Sequence, residues 1–235
     1  MNHLTAGTHT ALAALLALAG CNASNQGNEW FPLRTGEVQT YLASYDTDEP
    51  RETHTWTLTT GGPATLDGQA LMHRRHSDGV TYHFKVDEQG IRRIATRMDI
   101  DQDPTLDPEP RWVIKAPYTV GTEWTTPTVP YLIQRTNEHP RDLKYTHKAQ
   151  MTWRIEAVDD AVQLAEGSAP LTPCLRLRGE ARLNLYTDPV NGFTDVPLIS
   201  MEWYCRGRGL VKFERMEKVP SGFLTGGVVA AVLQP

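Results

Sequence analysis

Between residues 175 and 185 apolar and polar side chains alternate with a period of two. Leu175, Leu177, Ala181, Leu183 and Leu185 fall on one side of an extended chain, and Arg176, Arg178, Glu180, Arg182 and Asn184 on the other. This is the pattern of a strand with one face on a core and one in water. Short runs of β-branched and aromatic residues between turn signals continue from Trp30 onward, with almost no helical periodicity. The pattern predicts strands over 37–45, 52–60, 69–77, 80–88, 91–99, 111–115, 121–126, 131–136, 144–158, 173–187, 196–206 and 209–217. Asp78-Gly79 and Gln89-Gly90 stand where hairpin turns belong, so residues 69–99 should form a three-stranded meander. The Pro- and Asp-rich stretch 102–111 is expected to be a loop, and so is 159–167, the one segment with any helical character. The expected class is all-β: twisted antiparallel sheets in a barrel-like, half-barrel or sandwich domain.

The first residues break this pattern. Ala11 to Ala17 form a short apolar run, closed by Leu18-Ala19-Gly20-Cys21 and followed at once by polar residues from Asn22 to Glu29. A run this short, ending in small residues, reads as a secretory signal and not as a membrane span. Met1 to Thr10 contain no Lys or Arg, a departure from the usual signal. Leu18-Ala19-Gly20-Cys21 resembles a bacterial lipobox. The resemblance implies cleavage before Cys21, a diacylglycerol on its thiol and acylation of the new amino end. More than one chain is what stable anchoring requires. Asn at position 22, where Asp would imply inner-membrane retention, points to the outer membrane facing the periplasm. The chain then divides into a signal peptide (1–20), a lipidated Cys and polar tether (21–29), a β domain (30–219) and a tail or terminal strand (220–235). The apolar run 226–233 is too short to cross a bilayer.

With 235 residues, 40% of them hydrophobic and 22% charged, the chain is long enough to bury a core. A net charge of -5 disfavours nucleic acid, which calls for a basic face. Of the three cysteines, Cys21 is taken for lipidation, leaving Cys174 and Cys205 as a pair in an oxidising compartment. Asp188-Pro189-Val190-Asn191-Gly192 is a turn signal and contains their midpoint. A hairpin folded there sets Cys174 opposite Cys205, within reach of a disulfide.

Two segments echo each other. Pro32-Leu33-Arg34-Thr35-Gly36 and Pro117-Tyr118-Thr119-Val120-Gly121 both lead into a predicted strand. Phe31-Pro32-Leu33 with Gly36, then Pro117, Gly121 and Trp124, then Trp203-Tyr204 with Gly207-Arg208-Gly209-Leu210-Val211-Lys212, resemble three ordered segments of a broad group of bacterial lipoproteins and secreted proteins. Gln39 stands where the first segment usually carries Trp. The resemblance implies an all-β, membrane-tethered domain and brings no catalytic residues.

The search for chemistry yields little. Asp99, Asp101 and Asp103 have carboxylates at alternate positions, but Pro104 and Pro110 occupy the places where an EF-hand needs Gly and Glu. His73 and His76 point to opposite faces of a strand and cannot share a metal, while His83 across the turn can face one of them. No nucleophile elbow or phosphate-binding Gly-rich loop is present. The Trp residues at 30, 56, 112, 124, 153 and 203 are read as core. The sequence therefore assigns no catalytic residue, no cofactor and no metal. It leads to a non-enzymatic envelope lipoprotein held to the membrane through Cys21. Its role would be binding, assembly or structural, with an envelope protein as the expected partner. The rival readings are a carrier of lipid or another apolar ligand in a barrel-like cavity, and a hydrolase with dispersed site residues.

Overall fold

The structure, a computed structural model, describes residues 28–47, 52–219 and 221–235. The signal segment, Cys21 and most of the tether lie outside the described residues. The first half of the domain contains β1 (Val38–Thr47), β2 (Glu52–Leu66), β3 (Gln69–His76), β4 (Val80–Asp87), β5 (Gly90–Met98) and β6 (Thr105–Lys115). The second contains β7 (Glu123–Thr128), β8 (Gln134–Arg135), a 3-10 turn (Leu143–Tyr145), β9 (Ala149–Val162) and β10 (Leu171–Asp188). It closes with β11 (Gly192–Cys205), β12 (Gly209–Glu217), β13 (Leu224–Thr225) and β14 (Gly227–Leu233). All strand pairs are antiparallel.

Twelve strands form one sheet in the order β6-β5-β4-β3-β2-β1-β14-β12-β11-β10-β9-β7, and β13-β8 is a small separate ribbon. The order reads as two runs of six, each reversed in sequence, joined where β1 pairs β14. The Pro-x-x-x-Gly echo opens both runs with the same backbone geometry. Gly36 N donates to Thr60 O and Thr60 N to Glu37 O (2.8 and 2.9 Å); Gly121 N donates to Ile155 O and Ile155 N to Thr122 O (2.9 and 3.0 Å). Both glycines have left-handed φ values, 84° and 91°, which a Cβ would strain. The two free edges, β6 and β7, approach each other without a ladder, and Arg111 Nη1 spans the gap to Pro127 O at 3.3 Å. The sheet is thus curled but not a closed barrel. Pro108 and Pro127 each remove a donor from an edge that could otherwise recruit another strand.

The alternation in β10 places Leu175, Leu177, Ala181, Leu183 and Leu185 in the main core with Phe84, Ile91, Ile114, Trp153, Ile155, Leu198 and Tyr204. Trp30, Phe31 and Leu33 enter the same core from the N-terminal segment. Arg74, itself buried, holds that segment: Nη2 donates to Pro32 O (2.8 Å), Nε to Thr60 Oγ1 (3.1 Å), and the guanidinium lies 4.8 Å from the Phe31 ring.

Several segments depart from the sequence expectation. Residues 105–110 are strand and not loop, because the buried Asp107 carboxylate is clamped by Arg93 of β5 at 2.7 and 2.8 Å. The expected strand 131–136 shrinks to β8, since the N–H groups of Tyr131, Leu132 and Ile133 are spent on the Glu217 carboxylate. β9 runs on to Val162 through a stretch expected to be loop. Of the two alternatives for the apolar run near the C-terminus, the terminal strand is the one formed: β14 lies between β1 and β12.

Candidate functional site

The β10–β11 hairpin turns at residues 189–191, with Tyr186 opposite Phe193 in register. On the strand's alternation both positions belong to the outer, polar face, yet both carry aromatic rings. The rings meet edge to face at 5.5 Å, and Phe193 is 69% exposed. Beside them the β7–β9 connection folds down as the β8–β13 ribbon and the 3-10 turn. Together these elements enclose a pocket of about 380 Å³. Leu143, Leu185 and Leu224 form its apolar floor, and Tyr186, Phe193 and Phe223 its rim. Its volume falls in the range of small-molecule sites, roughly 300–1,000 Å³, and half of its lining residues are polar.

The polar groups are Arg135, Glu138, His147 and Asn184, with Thr136 and Asn137. Arg135 is held by Pro140 O (2.9 Å) and faces Glu138 at 3.5 Å. Burial and the neighbouring Arg135 charge hold the His147 imidazole below its usual pKa, so it is neutral at pH 7. Its Nδ1 meets Thr146 Oγ1 at 2.8 Å. Asn184 Nδ2 donates to Asp195 Oδ1. Arg135, Glu138, His147 and Asn184 each have a structural partner, and the hydroxyl that meets His147 Nδ1 belongs to its chain neighbour Thr146, which also lies 3.4 Å from Leu143 O. Arg135 brings charge to the pocket, and three aromatic rings bring apolar surface.

The loop behind the pocket is anchored by an ion pair inside the core. Arg215 and Glu217, inward-facing on β12, are 1% and 0% exposed and meet at 2.8 Å. Arg215 also donates to Val129 O (3.3 Å) and lies over the Tyr131 ring.

The residues singled out by sequence are scattered. Cys174 stands opposite Cys205 on β10 and β11, and their sulfurs are bonded. Cys21 lies outside the described residues. Asp99 is spent on Arg75, and Asp101 caps Met98 N, so the acidic loop does not converge. Among the described residues no group of three or more His, Cys, Asp or Glu could hold a metal ion. His76 meets Asp78 at 2.9 Å, whereas His73 pairs directly with His83. The pocket residues were missed by the sequence reading. The available signal was Tyr186, one step beyond the alternation of 175–185, an aromatic where a polar residue belongs.

No protein-family model matches the chain, and no curated protein matches it. Two solved structures resemble it in fold. One is a candidate lipoprotein from Parabacteroides distasonis: 11% identity, TM-score 0.41, covering 88% of this chain and 97% of that one. The other is a candidate exported protein with a YmcC-like fold from Bacteroides fragilis: 11% identity, TM-score 0.38, covering 88% and 98%. Likeness at this level says nothing about the residues of the pocket.

One buried acid makes the domain sensitive to pH. Glu202 on β11 faces inward and is largely shielded, and burial pushes its carboxyl up to about 7 despite the Tyr204 hydroxyl donating to it at 2.6 Å. An acid whose pKa rises on folding favours the native state below its unfolded value, near 4.5. That stability is lost as pH climbs from 4.5 to 7. Part of Glu202 stays accessible to solvent, which tempers the effect to the order of 2 kcal/mol. Glu202→Gln should therefore be more stable than the parent at pH 8 and not at pH 4.5, as read by urea unfolding at the two pH values. A parent whose stability is flat between them would show that Glu202 is ionised at no cost.

Proposed function

We propose that this chain is a lipid-anchored envelope protein whose β domain binds, and does not transform, a ligand or partner at its membrane-distal end. The observation that carries the reading is the placement of the two ends. The tether root reaches the domain at the β11–β12 turn: Gly207 N donates to Glu29 O (2.6 Å) and Arg206 pairs with Glu29 at 3.1 Å. The pocket lies at the other end of β11, beside Phe193. From Phe193 to Cys205 the strand covers about 40 Å at about 3.3 Å per residue. A domain lipidated at Cys21 would present the aromatic rim away from the membrane. The lipobox pattern, with Asn22, supports the outer membrane as the location and the periplasm as the side faced.

The carrier reading needs an empty lumen, and the inner face is instead packed with Trp30, Phe31, Leu33 and their neighbours. The hydrolase reading needs converging catalytic groups, which the pocket lacks.

The test uses full-length protein extracted from membranes, with mass spectrometry of co-purifying proteins and small molecules. Cys21→Ala is expected to leave the membrane fraction. Phe193→Asp is expected to stay in it but to lose the co-purifying species. Retention of the same species by Phe193→Asp would remove the pocket from the proposal. Membrane retention of Cys21→Ala would remove the anchor.

A further inference from the structure

We propose that His73 of β3 and His83 of β4 form a binding site for one late first-row divalent metal ion, with Cu²⁺ the strongest binder. The two residues are direct cross-strand partners on the face opposite Met72 and Phe84. Their ring centroids lie 5.9 Å apart. Two imidazoles bound to one ion through nitrogens at about 2.0–2.1 Å place their centroids about 4.5–6.5 Å apart, from cis to trans, and the observed spacing falls inside that range.

The second observation is that these nitrogens are unspent. His83 is 7% exposed, and neither Nδ1 nor Nε2 has a hydrogen-bond partner; buried Nδ1 of His73 has none either. A buried polar atom without a partner costs about 1–3 kcal/mol, and native proteins rarely leave three together. A metal ion ligated by one nitrogen from each ring answers the spacing and two of the three missing partners, and water completes the coordination. Imidazole suits copper, nickel and zinc, and general affinity peaks at Cu²⁺.

The surroundings fix the rings. Gly61 of β2 lies against His73 so closely that a Cβ there would fall 1.8 Å from Nε2. Ala95 of β5, fully buried, stands opposite His83. Burial first, then His73 and Arg97, holds the His83 imidazole below its usual pKa. Arg97 opposes copper and zinc dications alike, and the preference for copper rests on its bond to imidazole, the strongest of the series.

The experiment adds Cu²⁺ alone to the full-length, detergent-extracted protein. One equivalent is expected to bind, with electron paramagnetic resonance showing two equatorial nitrogens. His73→Gln, a change at a half-buried position, is expected to weaken this binding at least tenfold, while His76→Gln and His147→Gln leave it unchanged. The parent's melting temperature should rise with one equivalent of Cu²⁺ and return on adding a chelator, a readout that does not depend on any variant folding. Absence of that rise, or binding by His73→Gln within a factor of two of the parent, would overturn the site.

Discussion

Glu217→Ala is expected to destabilise the domain by about 3–5 kcal/mol, the usual cost of leaving a buried charge without its partner. For a domain of this size that is a fall in melting temperature of roughly 10 °C. The Glu217 carboxylate is fully buried and does two jobs. It neutralises Arg215, and it accepts hydrogen bonds from Tyr131 N, Leu132 N and Ile133 N at 2.8 to 3.3 Å. Removing it strands a guanidinium and three backbone donors at once. Arg215→Met leaves those donors their acceptor, and the carboxylate keeps three charge-assisted bonds, so it should cost less than Glu217→Ala. Thermal unfolding of both variants decides the order. If Arg215→Met is the worse, the pair matters more than the loop anchor. Because the anchored loop leads to Arg135 and His147, Glu217→Ala should also speed amide exchange in residues 131–147 before the sheet itself melts.

Such a pair is visible in the sequence only after the strand is placed. On β12 the inward positions read Val211, Phe213, Arg215, Glu217. The period of two was legible, but charged residues in the last two inward places look like a strand leaving the core. What reverses that reading is a distant segment with three N–H groups to satisfy, and no local pattern announces it. Asp107 is the same case: a Pro- and Asp-rich stretch reads as loop until Arg93, fourteen residues away, is set against it. Where pairing is local, the chain gave up its structure readily. The turns at Asp78-Gly79 and Gln89-Gly90 lie between paired strands, and β10 and β11 hold the register that their turn demands. The Pro-x-x-x-Gly echo was a pair of fixed residues in the sequence. In three dimensions it is the start of each six-strand run. The pocket needed β8, β13 and the hairpin tip brought together from three separate parts of the chain, which is why only Tyr186 hinted at it.

The Cys174–Cys205 disulfide is expected to contribute stability of the same order without defining the fold. The two residues are 31 apart in sequence, and the chain-entropy account gives about 3.5–4 kcal/mol for closing a loop of that length. The double variant Cys174→Ser/Cys205→Ser should melt roughly 7–14 °C lower. Its register should survive, because continuous pairing from Leu175↔Tyr204 to Tyr186↔Phe193 and the turn at residues 189–191 already set it. The bond acts mostly by restricting the unfolded chain, but its position adds a local term. Cys205 borders the turn at Arg206 to Arg208, where Glu29 and Arg34 attach the N-terminal segment through Gly207. Amides 204–210 should therefore exchange with solvent faster in the double variant, beyond the loss shared by the whole sheet, while those near Phe193 change only by the shared amount. Equal changes at both ends would mean that the unfolded-state effect is the whole of it. A larger change at the tether end would mean that the disulfide also braces the point where a membrane anchor would pull on the domain.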